Sequence, residues 1–223
     1  MIWLYGLAVL LSFALGGVLG GRIVGHFRGV DLRAAGSGNI GATNALRTQG
    51  SRFALMVLLI DAGKGALAVL LLPRLSLWGA ASIAPELPYL CGAMAVLGHC
   101  FPPWHRFDGG KGVATLAGVF LALLPAAFGW MFAGFALTVL LTGVVSLATL
   151  LGGLVALLQV TCFSAAGVFT PAGAFVLAML LLVLFTHRQN WLRLWQGHES
   201  RFEKARLLGR ALRIPPIGRA SPL

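Results

Sequence analysis

From Gly112 to His187 the chain runs 76 residues without a single Asp, Glu, Lys or Arg. A hydrocarbon core is crossed by about 20 apolar helical residues, so this stretch holds more than one crossing. It is built of Leu, Ala, Val and Gly runs rather than an apolar/polar alternation, which argues for helices and against an outer-membrane barrel. The full chain of 223 residues is 58% hydrophobic and 10% charged, with a mean hydropathy of +0.89. That is more apolar than a soluble domain of this size needs for its core. The sequence describes an integral membrane protein.

Charge fixes the expected sidedness. Segment 21–52 carries five arginines against Asp31, and the tail 188–223 carries eight basic residues against Glu199 and Glu203. By the positive-inside rule both face the cytoplasm. Residues 2–20 then form a first retained span, because no basic residue precedes them and Gly-Gly-Arg stands where a signal peptide would be cleaved. Residues 53–72 lead out, 73–88 form an outer loop, and a span near 89–99 returns to the loop CFPPWHRFDGGKG. Both ends of the charge-free stretch are cytoplasmic on this reading, so its crossings are even in number. Two would be too long and four short; four is the choice, with turns near Pro125, Ser146 and Thr170-Pro171. The expectation is an all-α, seven-transmembrane-helix bundle. It forms one domain over 1–223, with the N-terminus extracytoplasmic, the C-terminus cytoplasmic, and the basic tail 188–223 against anionic headgroups. Cys91, Cys100 and Cys162 are scattered in apolar surroundings and carry neither a disulfide nor a metal pattern.

Two glycine-rich loops lie on the cytoplasmic side. GSGNIG at 36–41 matches the dinucleotide fingerprint by spacing, and Asp61 follows at the expected interval. No strand precedes it, however, and Asp61 lies inside an apolar run, so a Rossmann site is excluded. GGKG at 109–112 lacks the Ser or Thr of a Walker A loop, and the H-x4-D spacing of His26 and Asp31 stands without the larger pattern of the unrelated superfamily that uses it, so His26 reads as a juxtamembrane surface residue. What remains is the physics of glycine. Gly36, Gly38 and Gly41 let backbone N–H groups turn around an anion at the start of a helix from about Ala42. Ser37, Asn39, Thr43 and Asn44 add neutral donors, and Arg47 shares a helical face with Thr43 and Asn44. Gly109, Gly110 and Gly112 repeat the recipe around Lys111. Two cradles on one face suggest two phosphates. Asp61 and Lys64 share a helix face at membrane depth, either as a structural ion pair or as part of the chemistry. His187, Asn190 and Arg193 recur at the end of the last span, where His187 could carry a proton or donate a hydrogen bond, while His99 reads as a helix-end donor.

The motifs GSGNIGATNALR, DAGKGALA, GHCFPPW with FDGGKGVAT, VVSLAT and THRQNWLRLWQGHE, in this order, resemble the bacterial acyl-phosphate:glycerol-3-phosphate acyltransferases of the PlsY type. Two positions depart from that pattern: Asp108 stands where relatives often carry lysine, and Gly143-Val144 replace an arginine and a tyrosine before V-S-L. The resemblance implies seven helices and a cytoplasmic active site in the bacterial inner membrane. It implies transfer of a fatty acyl group from acyl phosphate to the 1-hydroxyl of glycerol 3-phosphate, giving lysophosphatidic acid and phosphate, a transferase step of phospholipid biosynthesis. Ser37, Arg47, Lys111, His187 and Asn190 would grip the glycerol phosphate and the reacting centre. Gly36, Gly38, Asn39, Gly41, Thr43, Asn44, Lys64, Gly109, Gly110, Gly112 and Ser146 would support substrate binding. The general base is either His187 or a substrate phosphate. No cofactor, metal or nucleic acid is expected, since no carboxylate cluster stands beside the loops, and the chain is expected to act as a monomer among membrane lipids. The competing expectation is an organic-phosphate transporter, disfavoured because the chain has no internal repeat and its polar motifs cluster on one face.

Overall fold

The computed structural model describes residues 2–163 and 166–220, so the end of the basic tail, 221–223, lies outside the described residues. The chain divides into two compact units, residues 1–125 and 126–223.

The first unit contains α1 (Ile2–Gly16), α2 (Gly20–Arg28), α3 (Ala42–Gln49), α4 (Ser51–Leu71), α5 (Leu87–Cys100) and α6 (Val113–Leu123). Its helices meet through small residues. A Cβ on Gly16 would lie 2.0 Å from the Ala95 carbonyl oxygen and one on Gly98 2.0 Å from that of Phe13, so α1 and α5 lie flush. Gly65 against Thr115 and Gly118 against Ala62, at 2.2 and 1.9 Å, do the same for α4 and α6. Close backbone approach replaces hydrophobic driving force where the surrounding solvent is itself apolar. In keeping with this, Ala8, Ala68 and Ala95 are fully buried while Leu10, Leu59 and Leu121 are exposed.

The second unit contains α7 (Pro125–Thr142), α8 (Val145–Cys162), α9 (Pro171–Thr186), α10 (Arg188–Trp195) and α11 (Leu207–Ala211). Gly152 brings α8 onto α7, its Cβ position lying 2.9 Å from the Met131 carbonyl oxygen. Thr170 caps α9, its hydroxyl accepting from the Gly173 N–H, with Pro171 at the first helical position where a missing N–H costs nothing. The tail is folded rather than extended: β1 (Ser200–Arg201) pairs in parallel with β2 (Arg219–Ala220), Ser200 opposite Arg219.

Helix breaks in the charge-free stretch fall at Pro125, Gly143–Val144 and Thr170–Pro171. Among the described residues four helical stretches are long and apolar enough to cross a membrane: Ile2–Arg28, Ser51–Trp78, Pro125–Thr142 and Val145–Cys162. The bent pair α9 and α10, turning 57° at His187, makes up to five. α6, at 11 residues, measures about 16 Å, roughly half of a hydrocarbon core. The first apolar run differs from expectation, because the helix breaks after Gly16 and resumes as α2 through Arg22 to Arg28.

Gly118→Ala sets a methyl against the Ala62 carbonyl, whereas a Cβ on Gly63 of α4 meets nothing within 4 Å. Gly118→Ala should cost about 1–3 kcal/mol by overpacking, read as a thermal midpoint in detergent several degrees lower, with Gly63→Ala at or above the parent value. Equal midpoints for the two variants would contradict the flush α4/α6 interface.

Candidate active site

The first loop is shaped by its own side chains. Asp31 accepts from the Arg33 N–H at 2.9 Å, starting a single 3-10 turn over Leu32–Ala34. Gly36 and Gly38 take positive φ, 62° and 71°, and turn the chain toward α3. Asn44, buried on α3, holds the loop: its Oδ1 accepts from the Ser37 N–H at 2.9 Å, and its Nδ2 reaches the carbonyls of Leu32, Ala35 and Asn39 at 2.8 to 3.0 Å. The Asn44 amide, expected among the substrate donors, is thus committed to the loop backbone. Ser37 is exposed, and Thr43 and Arg47 are half-buried one turn apart on α3. The Gly41–Ala42 start of α3 stands where the sequence placed it.

The second loop folds back onto the end of α5. Gly109 N–H donates to the Cys100 carbonyl at 3.2 Å and Gly110 N–H to that of His99 at 3.0 Å. A Cβ on Gly109 would lie 2.0 Å from the His99 oxygen, and one on Gly110 2.2 Å from His99 Nε2. These two glycines are therefore required by close packing, and their N–H groups face α5 rather than a ligand. Gly112, at φ 78°, caps the amino end of α6, and Lys111 beside it is half-buried. Trp104 Nε1 donates to the Gly17 carbonyl at 3.2 Å and ties the loop to the α1/α2 break. Arg33 joins the two loops: its Nη2 donates to the carbonyls of Asp108 and Gly109 at 2.7 and 3.0 Å, and its Nη1 meets Asp108 Oδ2 at 3.0 Å. Partial burial, then the charges of Arg22 and Arg33, hold His105 below its ordinary value, a sign of positive potential where the loops meet.

Beneath the loops Lys64 is buried with three partners. Its Nζ donates to the Val18 carbonyl at 2.6 Å, to Asp61 Oδ1 at 2.8 Å and to His99 Nδ1 at 2.8 Å. Asp61 Oδ1 also accepts from the Gly20 N–H at 3.1 Å. An ammonium has three N–H groups, so Lys64, expected to bind substrate, is engaged within the protein.

In the second unit His187 sits at the α9/α10 break, buried, with Nδ1 2.9 Å from the Val183 carbonyl oxygen. A carbonyl only accepts, so Nδ1 carries the proton and the lone pair of the neutral ring lies on Nε2. Asn190 Nδ2 donates to Glu199 Oε1 at 2.6 Å, Ser146 Oγ donates to the same oxygen at 2.8 Å, and Arg193 Nε meets Oε2 at 3.0 Å. Ser146 and Asn190, 44 residues apart in sequence, are brought together by a buried glutamate that the sequence reading did not single out. The only signal for Glu199 was its place in the last motif. Gly143 takes φ 73°, and a Cβ there would lie 2.7 Å from the Phe202 carbonyl oxygen; that closeness accounts for glycine at a departing position. Among the described residues no group of three or more His, Cys, Asp or Glu could hold a metal ion.

A sequence profile of the glycerol-3-phosphate acyltransferases matches residues 6–197. The chain belongs to the glycerol-3-phosphate acyltransferase family. The glycerol-3-phosphate acyltransferase of Zymomonas mobilis is 42% identical over 204 residues, covering 86% of this chain and 92% of the relative. That of Myxococcus xanthus is 40% identical over 195 residues, covering 87% and 97%. Crystal structures of PlsY (YgiH), an integral membrane glycerol 3-phosphate acyltransferase, superpose with TM-scores of 0.79 in the glycerol 3-phosphate form and 0.78 in the lysophosphatidic acid form. They are 32% and 31% identical and cover 92% of this chain and 98% of theirs. The family's all-helical integral membrane fold is the fold of this chain.

Lys64→Met would leave the Asp61 carboxylate buried without its cation, a loss of about 3–5 kcal/mol. Asp61→Asn combined with Lys64→Met should recover part of it. Thermal unfolding in detergent reads both; an unchanged midpoint for Lys64→Met would refute the structural role.

Proposed function

We propose that the chain transfers a fatty acyl group from acyl phosphate to the 1-hydroxyl of glycerol 3-phosphate, giving lysophosphatidic acid and phosphate. The family match across 6–197 carries this reading, supported by PlsY neighbours in glycerol 3-phosphate and lysophosphatidic acid forms. Both units serve one enzyme, a monomer of seven membrane-crossing helices in the bacterial inner membrane, with the glycine loops on the cytoplasmic face and the N-terminus outside. The folded tail, with exposed Leu207, Leu212, Arg210 and Arg213, suits an interface of anionic headgroups.

Acyl phosphate is already activated, so no covalent enzyme nucleophile is needed. The hydroxyl oxygen forms the new ester bond to the acyl carbon, the bond from that carbon to the phosphate oxygen breaks, and phosphate leaves with the bonding electrons. The hydroxyl proton passes to His187 Nε2 or to phosphate itself. By the family motifs, the grip on the glycerol phosphate and the reacting centre is assigned to Ser37, Arg47, Lys111, His187 and Asn190. Asn39 and Thr43 flank the acyl phosphate. Asn44, Lys64, Ser146 and the glycines keep these groups in place.

Two measurements on purified protein test the reading. Acyl phosphate should support turnover and acyl-CoA should not; comparable rates with acyl-CoA would overturn the donor assignment, and absence of lysophosphatidic acid would favour a transporter. Lys111→Ala should fold yet lose acyl transfer by orders of magnitude, because a charge-assisted contact in a sheltered site stabilises a transition state by several kcal/mol. Lys111→Arg should fail substantially too, since a planar fork does not reproduce an ammonium point charge. Near-normal turnover in a folded Lys111→Ala sample would sink the role of this loop.

A further inference from the structure

We infer that Arg33 is a positioning residue for acyl transfer: its guanidinium fastens the loop carrying Lys111 to the loop carrying Ser37. The inference rests on the reading of Lys111 as a substrate contact.

Arg33 lies on the 3-10 turn Leu32–Ala34, three residues before Gly36, and its backbone is fixed by the Asp31 cap. Its fork closes on the second loop, 75 residues further along the chain, through the main-chain oxygens of Asp108 and Gly109 and the Asp108 carboxylate. The segment 108–110 is therefore gripped from two sides. Its carbonyls at 108 and 109 point to Arg33, and its N–H groups at 109 and 110 point to the carbonyls of Cys100 and His99. Between the two grips the 108–109 and 109–110 peptide planes are set, one residue before Lys111. The turn that feeds this segment is strained, with Arg106 and Phe107 both at positive φ, 56° and 59°. Such a conformation persists only where the surroundings over-determine it. Trp104 holds one side of that turn on Gly17; Arg33 holds the other.

The contacts are unequal. Asp108 is 62% exposed at its side chain, and an exposed ion pair contributes little. The two main-chain oxygens are charge-assisted acceptors that no substitution at 108 removes. Removing the guanidinium should therefore matter much more than removing the carboxylate.

The test uses the full chain in detergent, with acyl phosphate and glycerol 3-phosphate as substrates, and hydrogen–deuterium exchange of the same samples. Arg33→Ala should lower kcat about tenfold or more, Arg33→Lys should recover part because an ammonium reaches one carbonyl without forming the fork, and Asp108→Ala should stay within about threefold. Exchange should quicken in peptides spanning 34–41 and 104–112 of Arg33→Ala and remain unchanged in α9. Turnover of Arg33→Ala within about twofold of the parent, beside a crippled Lys111→Ala, would overturn the inference while leaving the role of Lys111 intact; so would loosened loops with full turnover. A normal Lys111→Ala would remove the reading on which the inference rests. Should Arg33→Ala not fold, Arg33→Lys decides: full turnover with unaltered loop exchange refutes the clasp.

Discussion

The break between α1 and α2 frees backbone groups in a setting where water is scarce, and each group left unsatisfied there costs several kcal/mol. One turn of α4 answers both ends of that break. Lys64 takes the Val18 carbonyl, and Asp61 takes the Gly20 N–H. The same ammonium reaches His99 on α5, and the His99 carbonyl in turn accepts from Gly110. A chain of hydrogen bonds thus runs from a helix break through a buried ion pair to the residue before Lys111. The ion pair is not an isolated stabilising contact. It is the partner that makes the break possible, and the break is what allows Trp104 to anchor the second loop on Gly17.

The glycine loops were visible in the sequence, but for an incomplete reason. At Gly36 and Gly38 glycine is required by positive φ, but the expected turning of N–H groups toward an anion is not what the loop shows: the Gly38 N–H donates to the Ala35 carbonyl and the Ser37 N–H to Asn44 Oδ1. At Gly109 and Gly110 the demand is proximity: the end of α5 occupies the space a side chain would need, and its carbonyls take both N–H groups. A motif expression does not distinguish these cases, because both require the same residue. The distinction matters for the chemistry, because the Gly109 and Gly110 amides are already occupied by protein acceptors. Asn44 shows the same limit. Its position beside the loop was evident, but only the fold shows that its amide is used up by four backbone groups.

Helix placement was legible wherever punctuation was local. Pro125 and the Thr170-Pro171 cap start helices where turns were expected, whereas the turn expected near Ser146 falls at Gly143–Val144 and leaves Ser146 in the first turn of α8. The α1/α2 break was not legible, because the feature that stabilises it lies some 40 residues away on α4. Arg33 and Glu199 escaped for the same reason. One meets its acceptors 75 residues along the chain and the other gathers Ser146 from 53 residues back. Periodicity and motif spacing carry no information about pairs of that separation.

The two units solve the same problem with opposite charges. In the first, a buried cation gathers acceptors around a helix break; in the second, the buried Glu199 carboxylate gathers donors from Ser146, Asn190 and Arg193 just beyond the break at His187. At that break the Val183 carbonyl accepts both the His187 N–H and its ring Nδ1. Of the residues proposed for chemistry in this unit, His187 thus satisfies a backbone carbonyl, while Asn190 serves the buried Glu199 carboxylate. Ser37 and Lys111 lie on loops that Asn44, His99 and Arg33 hold through backbone groups. A substitution at His187 or Asn190 removes a hydrogen bond made inside the protein, to the Val183 carbonyl or to Glu199, whatever else it removes.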